Sequence, residues 1–128
     1  VPFDVELDYD RGIPVYRQIY EAVARALASG RLEAAEKLPT IHELAGRLGI
    51  NPNTVVRAYK DLERDGHIVS RRGKGTFAKD KPKSGARSKS AQDKILRGIY
   101  DRAVVEAARH HIGPKQVVRF FRKAVEEE

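Results

Sequence analysis

The sequence predicts a mostly helical fold with one small β-hairpin: three helices and the hairpin, a polar linker, then two more helices. Three observations carry this. Apolar residues recur at helical spacing in five separate segments. The first three of those segments each end on a glycine, Gly30, Gly49 and Gly66. Two short runs with strand character flank the basic turn Arg72-Gly73-Lys74-Gly75. With 128 residues, the chain can hold one modest core, or one small domain plus an appendage.

Residues 1–13 read as extended and loosely polar. From Pro14 to Ser29 a helix is expected, with Val15, Ile19, Val23, Ala26 and Leu27 on one face and Gly30 as its stop. After Leu38-Pro39, Thr40 is followed three residues later by Glu43, the spacing of a capping box. Leu44, Ala45 and Leu48 continue the apolar periodicity to Gly49. Ile50 then leads directly into a third helix, and two short helices joined this tightly are the mark of a helix-turn-helix.

The third helix has both ends written out. Asn51 is a strong N-cap, Pro52 suits the first helical position, and Gly66 suits the left-handed residue past the end. Val55, Ala58, Tyr59 and Leu62 form one apolar stripe, while Asn53, Arg57, Lys60 and Arg64 lie opposite. Amide and guanidinium side chains on such a face suit the major groove of DNA, where they read base edges or hold phosphates. Taken alone, the same face also suits an ordinary solvated helix.

Beyond Gly66, residues 67–71 and 76–78 are expected to pair as strands around the basic turn. Three helices followed by a basic hairpin form a winged helix. Arg71, Arg72 and Lys74 at its tip can grip phosphates or enter the minor groove, and Gly73 and Gly75 allow close backbone approach. By itself this hairpin could equally be a charged, solvated turn.

The run from Lys79 to Ser90 has no large apolar residue and reads as a flexible linker. The expected division is residues 1–79 for the arm and winged helix-turn-helix, 80–92 for the linker, and 93–128 for a helical hairpin. In that hairpin Leu96, Ile99, Tyr100 and Val104 on one helix and Val117, Val118, Phe121 and Val125 on the other are expected to meet a second copy of the chain. Two helices alone cannot enclose such faces.

Charge is unevenly placed. Positions 57–97 hold thirteen Lys/Arg against five Asp/Glu, so the net charge of +7 sits in the middle third of the chain. Such clustering is the electrostatic footprint of a polyanion-binding protein. The absence of cysteine excludes disulfides and thiolate metal sites. Val1 is not an initiator methionine, so residues are expected to precede it. Asp4, Glu6, Asp8 and Asp10 oppose a secretory segment, no apolar run reaches membrane-spanning length, and a cytoplasmic location is expected.

His110-His111 does not read as a metal pair, because adjacent helical residues point about 100° apart and no acidic cluster or cysteine lies nearby in sequence. Histidines at a helix end are favoured by its dipole in any case. No catalytic constellation is visible. Gly73-Lys74-Gly75-Thr76 lacks the upstream glycine spacing and following helix of a phosphate loop. Neither enzyme activity, a cofactor nor a metal is expected.

Residues 14–78 resemble the DNA-binding domain of the GntR family of bacterial transcription regulators. The matching words are Pro14-Val15-Tyr16-Arg17-Gln18-Ile19, Lys37-Leu38-Pro39-Thr40, Glu43-Leu44-Ala45, Thr54-Val55, Ala58-Tyr59, Leu62-Glu63 and Gly73-Lys74-Gly75-Thr76-Phe77. Asn51-Pro52-Asn53-Thr54-Val55 with Arg57-Ala58-Tyr59 is similar to the YtrA-like subfamily, whose winged helix is followed by a short helical dimerisation region. One position departs: family members usually carry Arg where this chain has His42, and a neutral imidazole lacks the permanent charge and bidentate fork.

The resemblance implies double-stranded DNA as partner, a homodimer, an inverted-repeat operator, and repression. Any small-molecule effector is unspecified. The residues expected at the DNA are Thr40, His42, Asn51, Asn53, Thr54, Arg57 and Lys60, with Arg71, Arg72, Gly73, Lys74 and Gly75 of the wing. Non-specific or architectural nucleic-acid binding is the alternative that the charge pattern also allows.

Overall fold

A computed structural model of the chain describes residues 3–79 and 88–127. The chain divides into two compact units, Val1–Lys81 and Pro82–Glu128.

The first unit is built on three helices, α1 (Val15–Ser29), α2 (Ile41–Leu48) and α3 (Pro52–Arg64). α1 ends where Gly30 turns left-handed at φ 82°. At the start of α2 the Thr40 hydroxyl accepts from the Glu43 N–H at 3.1 Å, and the Glu43 carboxylate accepts from the Thr40 N–H at 3.3 Å. The expected capping box is therefore formed. The end of α3 is a Schellman turn: the N–H of Gly66 donates to the Glu63 carbonyl and that of His67 to the Leu62 carbonyl.

The core gathers Ile19, Val23 and Ala26 from α1, Leu44 and Ala45 from α2, and Val55, Ala58, Tyr59 and Leu62 from α3. Burying each large apolar side chain stabilises the fold by about 1.5–3 kcal/mol. Leu32, Leu38, Ile68 and Ala78 belong to the same core.

The amino-terminal arm is neither loose nor extended throughout. The Asp8 side chain accepts from the Asp10 N–H and starts a single 3-10 turn, Tyr9–Arg11, within the stretch expected to be extended. Phe3 lies in the core at 3% exposure. Gln18, itself buried, accepts from the Asp8 N–H and donates to the carbonyls of Asp8 and Ile13, each at 2.9 Å. A side-chain amide that satisfies three backbone groups fixes the arm against α1.

The hairpin consists of β1 (Ile68–Arg71) and β2 (Gly75–Ala78), with Val69 opposite Phe77 and Arg71 opposite Gly75. Gly75, expected in the turn, instead belongs to β2, and His67 precedes β1 because it completes the Schellman turn. A third chain segment flanks β2. The Leu38 N–H donates to the Thr76 carbonyl at 2.8 Å, and the Ala78 N–H to the Glu36 carbonyl at 2.8 Å.

The second unit is a helical hairpin of α4 (Lys89–Arg109) and α5 (Pro114–Glu126). Residues 80–87 of the expected linker lie outside the described residues. The helix begins at Lys89, ahead of the expected Asp93, because the Ser88 hydroxyl accepts from the Ala91 N–H at 3.2 Å and caps it. The polar composition of that segment suggests linker, but one serine cap suffices to start the helix earlier. His111 occupies the left-handed position after α4 at φ 61°. Among the described residues of this unit Val117 alone is buried. Val104 is half-buried, and Leu96, Ile99, Tyr100, Val118, Phe121 and Val125 are exposed, Val125 at 70%.

Candidate nucleic-acid interface

The site is assembled from two pieces of the first unit, the outer face of α3 and the wing. α3 turns Val55, Ala58, Tyr59 and Leu62 into the core, so its period leaves Asn53, Arg57, Lys60 and Arg64 exposed on the opposite face. Thr54 is half-buried beside them. Asn51 uses its carbonyl oxygen as the helix cap, accepting from the Asn53 N–H at 2.8 Å. The cap leaves the Asn51 NH₂ group as a donor at the positive end of the helix, where an anion is favoured.

The exposed cations on α3 differ in how they are held. Arg64 is engaged by two carboxylates, Asp61 at 3.1 Å and Asp65 at 3.2 Å. Its charge is largely answered within the protein. Arg57 instead lies over the ring of Tyr16, 3.7 Å from its centroid, and donates to the Tyr16 hydroxyl at 3.1 Å. Lys60 is exposed.

On the wing, Arg71, Arg72 and Lys74 are exposed, and the left-handed Gly73 at φ 75° makes the turn. Gly75 at φ 119° leaves room for a neighbour: a Cβ there would stand 2.8 Å from Lys37 Cε and 3.6 Å from its Nζ. The Lys37 chain thus runs across the wing glycine and adds an ammonium to the group. Lys37 and Tyr16 lie against the candidate site and are not among the residues expected there. Both fall within the words that resemble the family, but nothing in their spacing brings Tyr16 to Arg57 or Lys37 to Gly75.

Thr40 and His42 are exposed at the start of α2. The Thr40 hydroxyl holds the cap and lowers the Glu43 carboxyl below the usual carboxylate range. Around the far end of α3, burial and the hydrogen bond to Asp65 push the Tyr20 hydroxyl up to about 12. The Tyr20 hydrogen bond, with Arg64, holds Asp65 below its ordinary value. Burial raises Tyr59 as well. None of these shifts brings a group into neutral titration, so they describe supports for a binding surface. The described residues contain no group of three or more potential metal ligands, and no described helix is long and apolar enough to cross a membrane.

The chain is similar to known proteins in sequence and in fold. A transcriptional repressor, YtrA of Bacillus subtilis, is 38% identical over 80 residues, which span 62% of this chain and 62% of the repressor. The chain therefore spans about three-fifths of that relative's length. Among solved structures, a transcriptional antiterminator from Listeria monocytogenes superimposes with a TM-score of 0.78 at 26% identity, over 93% of this chain and 87% of that one. AraR(DBD), solved in complex with operator ORR3, gives a TM-score of 0.51 at 31% identity over 61% of this chain and 94% of that one. The family model for bacterial regulatory proteins of the gntR family matches residues 15–78, from the first turn of α1 to the end of β2, and the chain belongs to that family.

Proposed function

We propose that the protein is a sequence-specific, DNA-binding transcription regulator that works as a homodimer and represses from an inverted-repeat operator. The observation that carries this is the exposed Asn53-Arg57-Lys60 face of α3 in the same unit as a wing bearing Arg71, Arg72 and Lys74. α3 would enter the major groove, with Asn53, Thr54 and Arg57 at base edges. Lys60, Asn51 and Thr40 would hold phosphates, and the wing with Gly73 and Gly75 would follow the backbone into the minor groove. His42 would meet the duplex without a fixed charge. Such a partner implies a cytoplasmic location.

The dimer reading rests on the helical hairpin. Leu96, Ile99, Tyr100, Val118, Phe121 and Val125 stay exposed in one chain, and a second copy offers the same apolar surface in return. Two-fold symmetry would then space two half-sites about one helical turn apart, or as far as the linkers allow. A groove of about 670 Å³ on the hairpin, lined by Ala103, Ala107, Ile112, Val117, Phe120 and Phe121, is where a small effector could act on the dimer.

The test is a binding titration on DNA from the gene's own promoter region against a shuffled duplex, at two salt concentrations. A preference of about 10³-fold or more supports a specific, self-regulating repressor. Equal and steeply salt-sensitive binding to both duplexes, repeated for a pool of random sequence, would favour an architectural binder instead.

A further inference from the structure

Four arginine–aromatic contacts are present among the described residues, and one differs in kind. Arg17 over Tyr20, Arg71 over Phe77 and Arg97 over Tyr100 stand at 5.6, 5.6 and 5.5 Å from the ring centroid. Arg57 over Tyr16 stands at 3.7 Å, which puts the guanidinium carbon in van der Waals contact with the ring face. The two residues are 41 apart in sequence, and the same pair is joined by the hydrogen bond from Arg57 Nη2 to the Tyr16 hydroxyl. Tyr16 is half-buried and packs against the core, whereas Arg57 is exposed. The tyrosine is thus the fixed partner and the arginine the held one.

We propose that Tyr16 is a positioning residue for sequence readout: it holds the Arg57 guanidinium in a groove-facing pose and so sets base discrimination at the position Arg57 reads. The inference rests on the DNA-binding reading above. A free arginine samples many rotamers, and docking it on a base edge requires ordering them. Stacking on Tyr16 orders the side chain beforehand. An aromatic ring also does this without neutralising the cation, as the carboxylates Asp61 and Asp65 do for Arg64. One of the five guanidinium N–H donors is used by the hydroxyl. Four remain, and a bidentate contact with guanine O6 and N7 needs two.

The experiment uses the full chain and a random-sequence duplex pool. Wild type, Tyr16→Phe, Tyr16→Leu, Arg57→Ala and the double variant Tyr16→Leu/Arg57→Ala are compared, with the thermal midpoint and helical circular dichroism recorded for each. The wild type is expected to enrich one site. Tyr16→Leu is expected to bind that site about fivefold or more weakly. It should lose preference at the same base pair per half-site that Arg57→Ala loses, with binding to random duplex unchanged.

Tyr16→Phe keeps the stacking face and is expected to rescue most of the preference. The double variant should be no weaker than Arg57→Ala alone. Three results overturn the proposal: full discrimination in Tyr16→Leu, an equal loss on every sequence, or tighter binding that marks Tyr16 as a restraint on Arg57. If the wild type enriches no site, the DNA-reading function itself falls, and the role of Tyr16 falls with it.

Discussion

The Tyr59 hydroxyl donates to the Pro39 carbonyl at 2.8 Å, from the buried face of α3 to the residue just before the cap of α2. That bond connects α3 to the segment that leads into α2. Tyr59 is 5% exposed, so Tyr59→Phe would keep the ring in place and leave a buried carbonyl without its donor. The expected cost is about 1–2 kcal/mol, read as a lower urea midpoint with unchanged slope. An unchanged midpoint would mean that the carbonyl finds another donor.

Thr40→Ala should cost about 1 kcal/mol through loss of the α2 cap, and Thr40→Ser should recover most of it. The variant should also change the acid limb of the stability curve. Hydrogen bonds from Thr40 hold the Glu43 carboxyl below its ordinary value, so the folded state favours the carboxylate. That contribution is present above the unfolded-state pKa and is lost as pH falls through the lower, folded one. Wild type should therefore lose more stability on acidification than Thr40→Ala does, as measured by thermal midpoints from pH 7 down to pH 3.

Two glycine substitutions should move in opposite directions. Gly75 sits at φ 119°, and a Cβ there would meet the Lys37 side chain at 2.8 Å. Gly75→Ala should cost about 1–3 kcal/mol in backbone strain and displace a cation from the wing, weakening DNA binding as well. Gly46 lies inside α2, and a Cβ added to it would meet nothing within 4 Å. Gly46→Ala should stabilise the domain by about 0.5–1 kcal/mol, visible as a raised thermal midpoint.

Salt dependence should separate the cations by role. Lys60→Ala or Arg72→Ala is expected to weaken binding to all duplexes alike. Each should also reduce the slope of log K against log salt by about 0.9, the value for one phosphate no longer neutralised. Arg57→Ala should instead relax discrimination at one base pair by about 1–3 kcal/mol. Arg64→Ala should do neither, because Asp61 and Asp65 already hold that charge.

The hairpin reading is tested by Phe121→Glu. Phe121 is 54% exposed within one chain, so the variant should keep its helical content. Sedimentation is expected to show a dimer for wild type and a monomer for the variant, with affinity for an inverted repeat falling to that for a half-site. A wild-type monomer would remove the dimer from the proposed function.

What the sequence discloses is local. Thr40 with Glu43, Asn51 with Pro52, and the glycines at 30, 49 and 66 act within one turn of themselves, so spacing alone locates the helix ends. The stripe of Val55, Ala58, Tyr59 and Leu62 likewise needs only the helical period. What stays hidden depends on partners far along the chain. Phe3 joins the core only because Gln18 fixes the arm, and Tyr16 meets Arg57 only because α1 packs on α3. The pairing of residues 35–38 with β2 has no periodic signal, since so short an edge contains no repeat. His111 reads as a helix-end cation, whereas its left-handed backbone fills a position that glycine usually takes.

That short edge decides how the wing behaves. Residues 35–38 bond to β2 on one side and run straight into Pro39 and the start of α2 on the other. These bonds tie β2 to the segment that starts α2. If α3 enters one groove and the wing the next, as proposed, the domain would act as a caliper for their separation. A duplex of A-form shape, with its deep and narrow major groove, is then expected to bind weakly whatever its sequence.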